Sequence, residues 1–536
     1  MDVLGTARAY IKEMVNLAGP QMKVILMDKE TVRPKTTIVS CAFAQSEMMQ
    51  KEVYLFERLD SPVPREAIKH LKCLVFVRPT PDNVQLLASE LRNPRYAQYY
   101  IYFSNIVSKT DLKMLAEADE HETVREVHEF FVDGIALSPP IYCINIKEVY
   151  DRSFNLTAAA YLRIKQALVA LLLNQKKKPV IRYQRMSEDC KRLADDLNQV
   201  VRREEGLFDN AKRDTILLII DRSEDPVTPL LNQWTYEAMV HELITINNNR
   251  VAVDGQSMVL SELHDEFYAK NVSSNFGEIG QNIKVLMNEF QQKSQIHKNL
   301  ESIADMKNFV EEYPQFKKIS GTVSKHVTLM GELSKLVANR NLLEISEVEQ
   351  SIVAEGDHSR CLERIRSLIN HPKTTSLDAL RLVLLYALRF EGNPSNDLNS
   401  LVNLLKRDAL RLVLLYALRF EGNPSNDLNS LVNLLKRDMD CANIVRSLLK
   451  YGGAGRRKTD LFGEGSTMEM TKRFIKGLKG VENIYTQHEP YIKTVMENAL
   501  SVRSQNEKRM QGGGGPAVLL ATTFMHNTKR YRISYL

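Results

Sequence analysis

Short apolar runs of strand length recur through the first 220 residues of this 536-residue chain, and beyond about residue 247 amphipathic helical pattern replaces them. A chain patterned in this way holds α/β sheet in one part and a mainly helical body in the other. Lys23–Met27, Glu52–Phe56, Cys73–Val77 and Tyr99–Phe103 read as strands of a first α/β domain. Thr110–Phe131 reads as helix, because Leu112, Leu115, Val124, Val127 and Phe131 recur on one face or two adjoining ones. A second α/β segment is expected after Ser138-Pro139-Pro140, with strands at Ile141–Ile146, Pro179–Tyr183 and Thr215–Ile220. The last is almost wholly apolar, as a parallel strand buried on both faces must be, and it ends in Asp221, where α/β sheets place ligand or interface groups.

From 247 to 480 the pattern predicts helices without strands, the strongest being Gly277–Gln292, Leu300–Glu312 and Ser324–Asn339. Gly452-Gly453-Ala454-Gly455 breaks the series and Val481–Val502 resumes it. After glycines 512–515, Ala517–Leu520 is the one strand-like run near the end. Residues 378–407 recur without a change as 408–437. Repeats held by packing keep core positions while surface positions drift, so an unbroken copy points to a recent tandem duplication or an error of the gene model. Two copies of a helix-turn-helix fall short of the three or so that a solenoid needs, and the pair reads as one redundant hairpin, its leucine stripe (Leu380, Leu384, Leu385, Leu388) repeated at Leu410, Leu414, Leu415 and Leu418.

At 44% apolar, a chain of this length is expected to divide into three or four domains. A net charge of +6 from 72 basic and 66 acidic residues makes no polyanion-binding field, so nucleic acid is not an expected partner. The six cysteines are far apart, without CxxC or nearby histidine at ligand spacing, and read as buried thiols of a reducing compartment rather than metal ligands. Met1–Ala18 mixes charges into a helical pattern unlike a signal peptide, and no run of 18 apolar residues occurs. Gly452 to Thr459 nearly matches a phosphate loop, but Arg457 stands where the glycine before the lysine is required. His121-Glu122 and His241-Glu242 lack the second histidine of a metal site, and His264-Asp265-Glu266 reads as a solvated face. The basic runs Lys176–Lys178 and Arg456–Lys458 are three residues each, too short to hold a chain on lipid alone. These readings favour a binding protein without cofactor. The alternative is an α/β enzyme with a carboxylate site near Asp221 and Asp225.

The run Ile219-Ile-Asp-Arg-Ser-Glu-Asp-Pro-Val-Thr-Pro-Leu-Leu-Asn-Gln-Trp-Thr-Tyr236 resembles the signature of the Sec-one/Munc-eighteen (SM) family. Glu52–Arg58, Leu300–Met306 with Tyr313–Lys318, and Gly477–His488 narrow the resemblance to its vacuolar-sorting branch. The resemblance covers residues 22 to about 500. It implies an α/β and α fold built as a three-domain arch: domain 1 at 1–134, domain 2 at 135–246 and 481–536, and a helical domain 3 at 247–480. It also implies a non-enzymatic regulator of vesicle docking and fusion in trans-Golgi and endosomal transport. Such a protein is cytoplasmic and monomeric, binds a syntaxin-type SNARE and a vesicle SNARE, and reaches membranes peripherally through them. Site residues follow from the same resemblance. A pocket for the syntaxin amino-terminal peptide is expected at Ile106, Leu112, Leu115, Val124 and Val127, and a SNARE cleft at Asp28, Glu57 and Arg58. A SNARE-templating hairpin is expected around Pro314, Gly321 and Val327, free to bend at the proline and glycine. Against the family pattern, the chain carries a stretch before Met22 that reads as an added extension, the second hairpin copy, and a shortened end. The shortened end predicts an incomplete domain 2 sheet with an unpaired edge.

Overall fold

The computed structural model describes residues 2–28, 45–144, 146, 149–212, 214–247, 249–298, 303–405, 441–457, 461–462, 487–499 and 518–524. These fall into two compact units. The first takes 2–221, 246–250 and 518–524, and the second takes 222–245 and 251–499.

The first unit opens with helix α1 (Val3–Leu17), capped by the Asp2 carboxylate, which accepts from the Gly5 N–H at 2.7 Å. Val3, Leu4, Ala7, Ile11, Met14 and Val15 are buried. The stretch before Met22 is therefore part of the core rather than an appendage, with each large apolar side chain contributing about 1.5–3 kcal/mol. There follow β1 (Lys23–Met27), α2 (Gln45–Met49), β2 (Val53–Arg58), β3 (Ile68–Val77), α3 (Pro81–Arg92), β4 (Tyr96–Phe103), α4 (Lys109–Ala118) and β5 (Val124–Glu129). The five strands form a parallel sheet in the order β2-β1-β3-β4-β5. Alternate residues feed two cores: Val24, Leu26, Cys73, Val75, Tyr99 and Ile101 face α3 and α4, while Ile25, Met27, Leu74, Phe76, Tyr100 and Tyr102 face α1.

The helix expected over 110–131 is thus α4 followed by a fifth strand. The Asp119 side chain takes the N–H groups of Thr123 and Val124, both at 2.9 Å, and Glu122 turns through a φ of 53°. A turn sealed in this way stops the helix, and Val124 and Val127 become edge-strand residues.

The chain continues through β6 (Ile135–Ser138) and β7 (Ile141–Cys143), an antiparallel ribbon turning at Pro139-Pro140 in place of the longer strand expected to Ile146. Helices α5 (Ala158–Asn174) and α6 (Glu188–Arg203) flank β8 (Val180–Tyr183), and β9 (Thr215–Asp221) follows. Near the carboxyl end, β12 (Val518–Phe524) pairs in parallel with β9 over its whole length, from Val518 opposite Thr215 to Phe524 opposite Asp221. The strand is longer than the run Ala517–Leu520 suggests. Among the described residues this sheet has three strands in the order β12-β9-β8, so β12 and β8 are its edges.

The second unit is helical: α7 (Tyr236–Met239), α8 (Glu266–Asn271), α9 (Phe276–Lys298), α10 (Ile303–Asn339), α11 (Leu342–Gln350), α12 (His358–Ile369), α13 (Ser376–Arg389) and α14 (Cys441–Gly452). It also holds most of a β-hairpin where none was expected, β10 (Arg250–Val253) and β11 (Gln256–Val259). Asp254 and Gly255 turn it at φ 48° and 77°, the left-handed pair that a two-residue hairpin loop demands. Helix α10 passes through Pro314 and Gly321 without interruption, joining into one helix the segments expected at Leu300–Glu312 and Ser324–Asn339. One missing N–H costs a helix of 37 residues a single internal bond, and a Cβ at Gly321 would meet nothing within 4 Å. In the first hairpin copy Leu380, Leu384, Leu385 and Leu388 are all buried. The second copy lies outside the described residues.

Candidate functional site

The crevice at the carboxyl ends of β1, β3 and β4, where sheets of this strand order hold ligands, is filled by the protein's own side chains. Asp28, fully buried, accepts from the Arg78 N–H at 2.8 Å and the Asn83 amide at 2.6 Å. Asp133, also fully buried, accepts from Arg78 Nε at 3.0 Å, Ser104 Oγ at 3.1 Å, Asn105 Nδ2 at 2.8 Å and Arg163 Nη1 at 2.9 Å. Asp28 is therefore internal and cannot line a SNARE cleft as expected. The other two cleft candidates end the edge strand β2. Tyr96 donates to Glu57 at 2.6 Å, and Arg58, 44% exposed, holds Asp60 through two nitrogens. Tyr54 and Phe56 are exposed on the same strand.

The five peptide-pocket candidates divide. Leu115 is buried in the core between the sheet and α4, and half-buried Val124 packs on that core. Leu112 and Val127 are 36% and 42% exposed on α4 and the neighbouring edge strand β5. A register shift after Tyr99 sets Val127 opposite Ile101, so it shares the α4 side of the sheet with Val124. Ile106 packs on the other core and does not belong with them.

The signature run is a structural spine. Its first residues complete β9, where the Asp221 carboxylate accepts from Ser187 Oγ at 2.9 Å. In the second unit Asp225, 4% exposed, accepts from the Thr228 N–H at 3.0 Å, Thr228 Oγ1 at 2.7 Å and the Tyr491 N–H at 3.1 Å. The two carboxylates proposed for an enzyme site thus shape turns. His488 Nε2 lies 2.9 Å from Thr228 Oγ1. Asn232 donates its N–H and amide to Glu349 at 3.0 and 2.8 Å, and Trp234 Nε1 donates to Ser346 Oγ at 2.9 Å. Arg381, 2% exposed, reaches both Asn232 and Glu242. Gly452 also belongs to this packing, since a Cβ there would stand 2.9 Å from the Ser223 carbonyl. The first glycine of the run that imitates a phosphate loop thus serves close approach to the signature turn, whereas a Cβ at Gly455 would meet nothing within 4 Å.

Asp265, read from the sequence as part of a solvated face, is 5% exposed. It caps α8 through the Tyr268 N–H at 2.9 Å and pairs with His326 and Lys325 of α10. Burial pushes its carboxyl upward, but the hydrogen bonds from His326 and Lys325 outweigh that and hold it well below the usual range. Next to His326, Val327 is 38% exposed on α10. No group of three or more His, Cys, Asp or Glu is placed to hold a metal ion, and no helix is long and apolar enough to cross a membrane, among the described residues.

The profile of the Sec1 family matches residues 23–407. Vacuolar protein sorting-associated protein 45 of Mus musculus is 48% identical over 514 residues, covering 94% of this chain and 84% of that protein. The Dictyostelium discoideum protein of the same name is 37% identical over 93% of the chain and 84% of its own length. The solved structure of the SM protein Vps45 in complex with the Qa SNARE Tlg2 (1-310) superposes with a TM-score of 0.79 at 37% identity, covering 98% of this chain and 96% of that one. The Unc18–syntaxin 1 complex from Monosiga brevicollis shares the fold, with a TM-score of 0.69 at 18% identity. The vacuolar-sorting stretches and the signature run agree with these matches, and the chain belongs to the Sec1 family.

Proposed function

We propose that this chain binds a syntaxin-type SNARE and templates its assembly with a vesicle SNARE, regulating docking and fusion in trans-Golgi and endosomal transport. It acts by binding, without a cofactor, and reaches those membranes peripherally through its SNARE partners. The observation that carries the reading is the 37% identity, over 98% of the chain, to a Vps45 structure holding the Qa SNARE Tlg2. In this reading Leu112, Val124 and Val127, on the edge formed by α4 and β5, receive the amino-terminal peptide of the syntaxin, while Leu115 supports them from the core. Glu57 and Arg58 contact the SNARE helices, and α10 around Gly321 and Val327 is the template.

Titration calorimetry with an amino-terminal syntaxin peptide tests the first contact. Leu112→Arg sets a charge where an apolar side chain must be buried, so affinity should fall at least tenfold. The melting temperature should stay within about 2 °C, because Leu112 is partly exposed already. Loss of folding together with binding would assign that leucine to the core. In liposome fusion Val327→Arg should slow SNARE-dependent mixing several-fold, and full activity would remove α10 from the templating role.

A further inference from the structure

The α9–α10 hairpin leaves the body of the second unit at a defined point. On α10 the described side chains from 317 to 325 include no buried one, and on α9 the same holds from 284 to 292. Inward of these stretches lie Ile279, Ile283, Leu329 and Leu333, all buried, and His326, fully buried. His326 is therefore the outermost buried side chain described on α10, and it is polar.

Its two ring nitrogens are both engaged. The Asp265 carboxylate only accepts, so Nε2 carries the proton across the 3.0 Å contact, and the Tyr236 hydroxyl meets Nδ1 at 2.7 Å. The ring stands 4.7 Å from that of Phe267, and the adjacent Lys325 donates to the Val259 carbonyl at 3.0 Å as well as pairing with Asp265. One turn of α10 is thereby bonded to the α8 cap, to the end of β11 and to the last residue of the signature run. Apolar packing at the hairpin root fixes separation but not direction, whereas hydrogen bonds fix direction.

We infer that His326 is a positioning residue that sets the angle at which the hairpin projects, an inference resting on the templating role proposed above. From His326 outward to Ile303 the helix runs about 35 Å at 1.5 Å per residue. A swing of about 10° at the root moves its far end about 6 Å, more than the width of one side-chain contact. A template with a loose root cannot hold two SNARE helices in register.

The test uses the full chain with spin labels carried on unnatural amino acids at Lys317, nine residues outward of His326 on α10, and at Leu343, both exposed and both in the second unit. His326→Ala should broaden the inter-label distance distribution and slow templated SNARE assembly about tenfold. Tyr236→Phe, which removes only the Nδ1 partner, should broaden it less, and His326→Gln, which keeps a donor for Asp265, should restore part of the narrow distribution. Peptide binding at the α4–β5 edge should be unchanged in all three. An unchanged distribution in folded His326→Ala overturns the inference. Should that variant fail to fold, an unchanged distribution in Tyr236→Phe overturns it instead. The distance measurement needs no SNARE, so a parent chain that does not accelerate SNARE assembly sinks the functional reading while the labels still decide the role of His326.

Discussion

Arg381→Ala is expected to destabilise the second unit by about 3–5 kcal/mol, because it strands the nearly buried Glu242 carboxylate without its cation. Arg381 lies on α13, 2% exposed, and its guanidinium bonds Glu242, whose side chain is 7% exposed, and the Asn232 side chain. Asn232 in turn holds the fully buried Glu349. The arginine stem also fills core volume beside the buried leucines of the same helix. Trp234, the only tryptophan of the chain, reports this region directly, since its indole donates to Ser346 one turn from Glu349. Urea unfolding followed by its fluorescence should show the midpoint fall. The double variant Glu242→Gln/Arg381→Met, which leaves no unpaired charge at that contact, should recover most of the loss. A single-variant loss under about 1 kcal/mol would mean that the Glu242 carboxylate finds water or other donors, and the cluster would then contribute little.

Strands β1, β3, β4 and β9 are legible in the sequence because Val24–Met27, Cys73–Val77, Tyr99–Phe103 and Ile216–Ile220 are buried on both faces, so each reads as an unbroken apolar run. Strand β5 is not, for the opposite physical reason. It is an edge, and Val124-Arg-Glu-Val-His-Glu129 mixes charge with valines three apart, which imitates a helix face. The β10–β11 hairpin carries a readable signal, Asp254-Gly255, within a region whose pattern is otherwise helical. Proline and glycine inside α10 do not stop a helix of 37 residues, which is why two helical segments in the sequence are one element in the fold.

Of the candidate site, the sequence identifies the family and the exposed apolar pair Leu112 and Val127. It does not separate them from Leu115 and Ile106, because helical spacing places residues on a face without saying which face meets solvent. The buried charges were beyond reach in principle, since the partners of Asp28, Asp265, Asn232 and Arg381 lie 50, 61, 117 and 139 residues away. An aspartate looks solvated until the fold supplies its cation. The signature run is a related case: its recognisability suggests a working site, whereas Asp225, Thr228, Asn232 and Trp234 join residues 488–491, α11 and α13 to one turn.

Glu349 should make the second unit lose stability as the solution becomes alkaline. Burial, against the Asn232 donors and the charge of Arg381, pushes its carboxyl from 4.5 up to about 8. The folded chain thus holds a proton that the unfolded chain has released, and folding binds protons through that window. The associated stability is full below about pH 4.5 and is lost as pH rises toward 8, a shift worth on the order of 5 kcal/mol at 1.36 kcal/mol per unit. In the parent about 3 kcal/mol of it falls between pH 6 and 9, so the melting temperature should drop by about 5–10 °C over that range from this group. Glu349→Gln keeps the shape of the protonated acid and cannot ionise, so its curve should be flatter, and it should melt above the parent at pH 9. Parallel curves for parent and variant would show that Glu349 does not titrate in this window. The two predictions are also coupled. Arg381 is one of the groups drawing the Glu349 pKa down, so Arg381→Ala must raise it further, and the damage from that substitution should be greater at pH 9 than at pH 6.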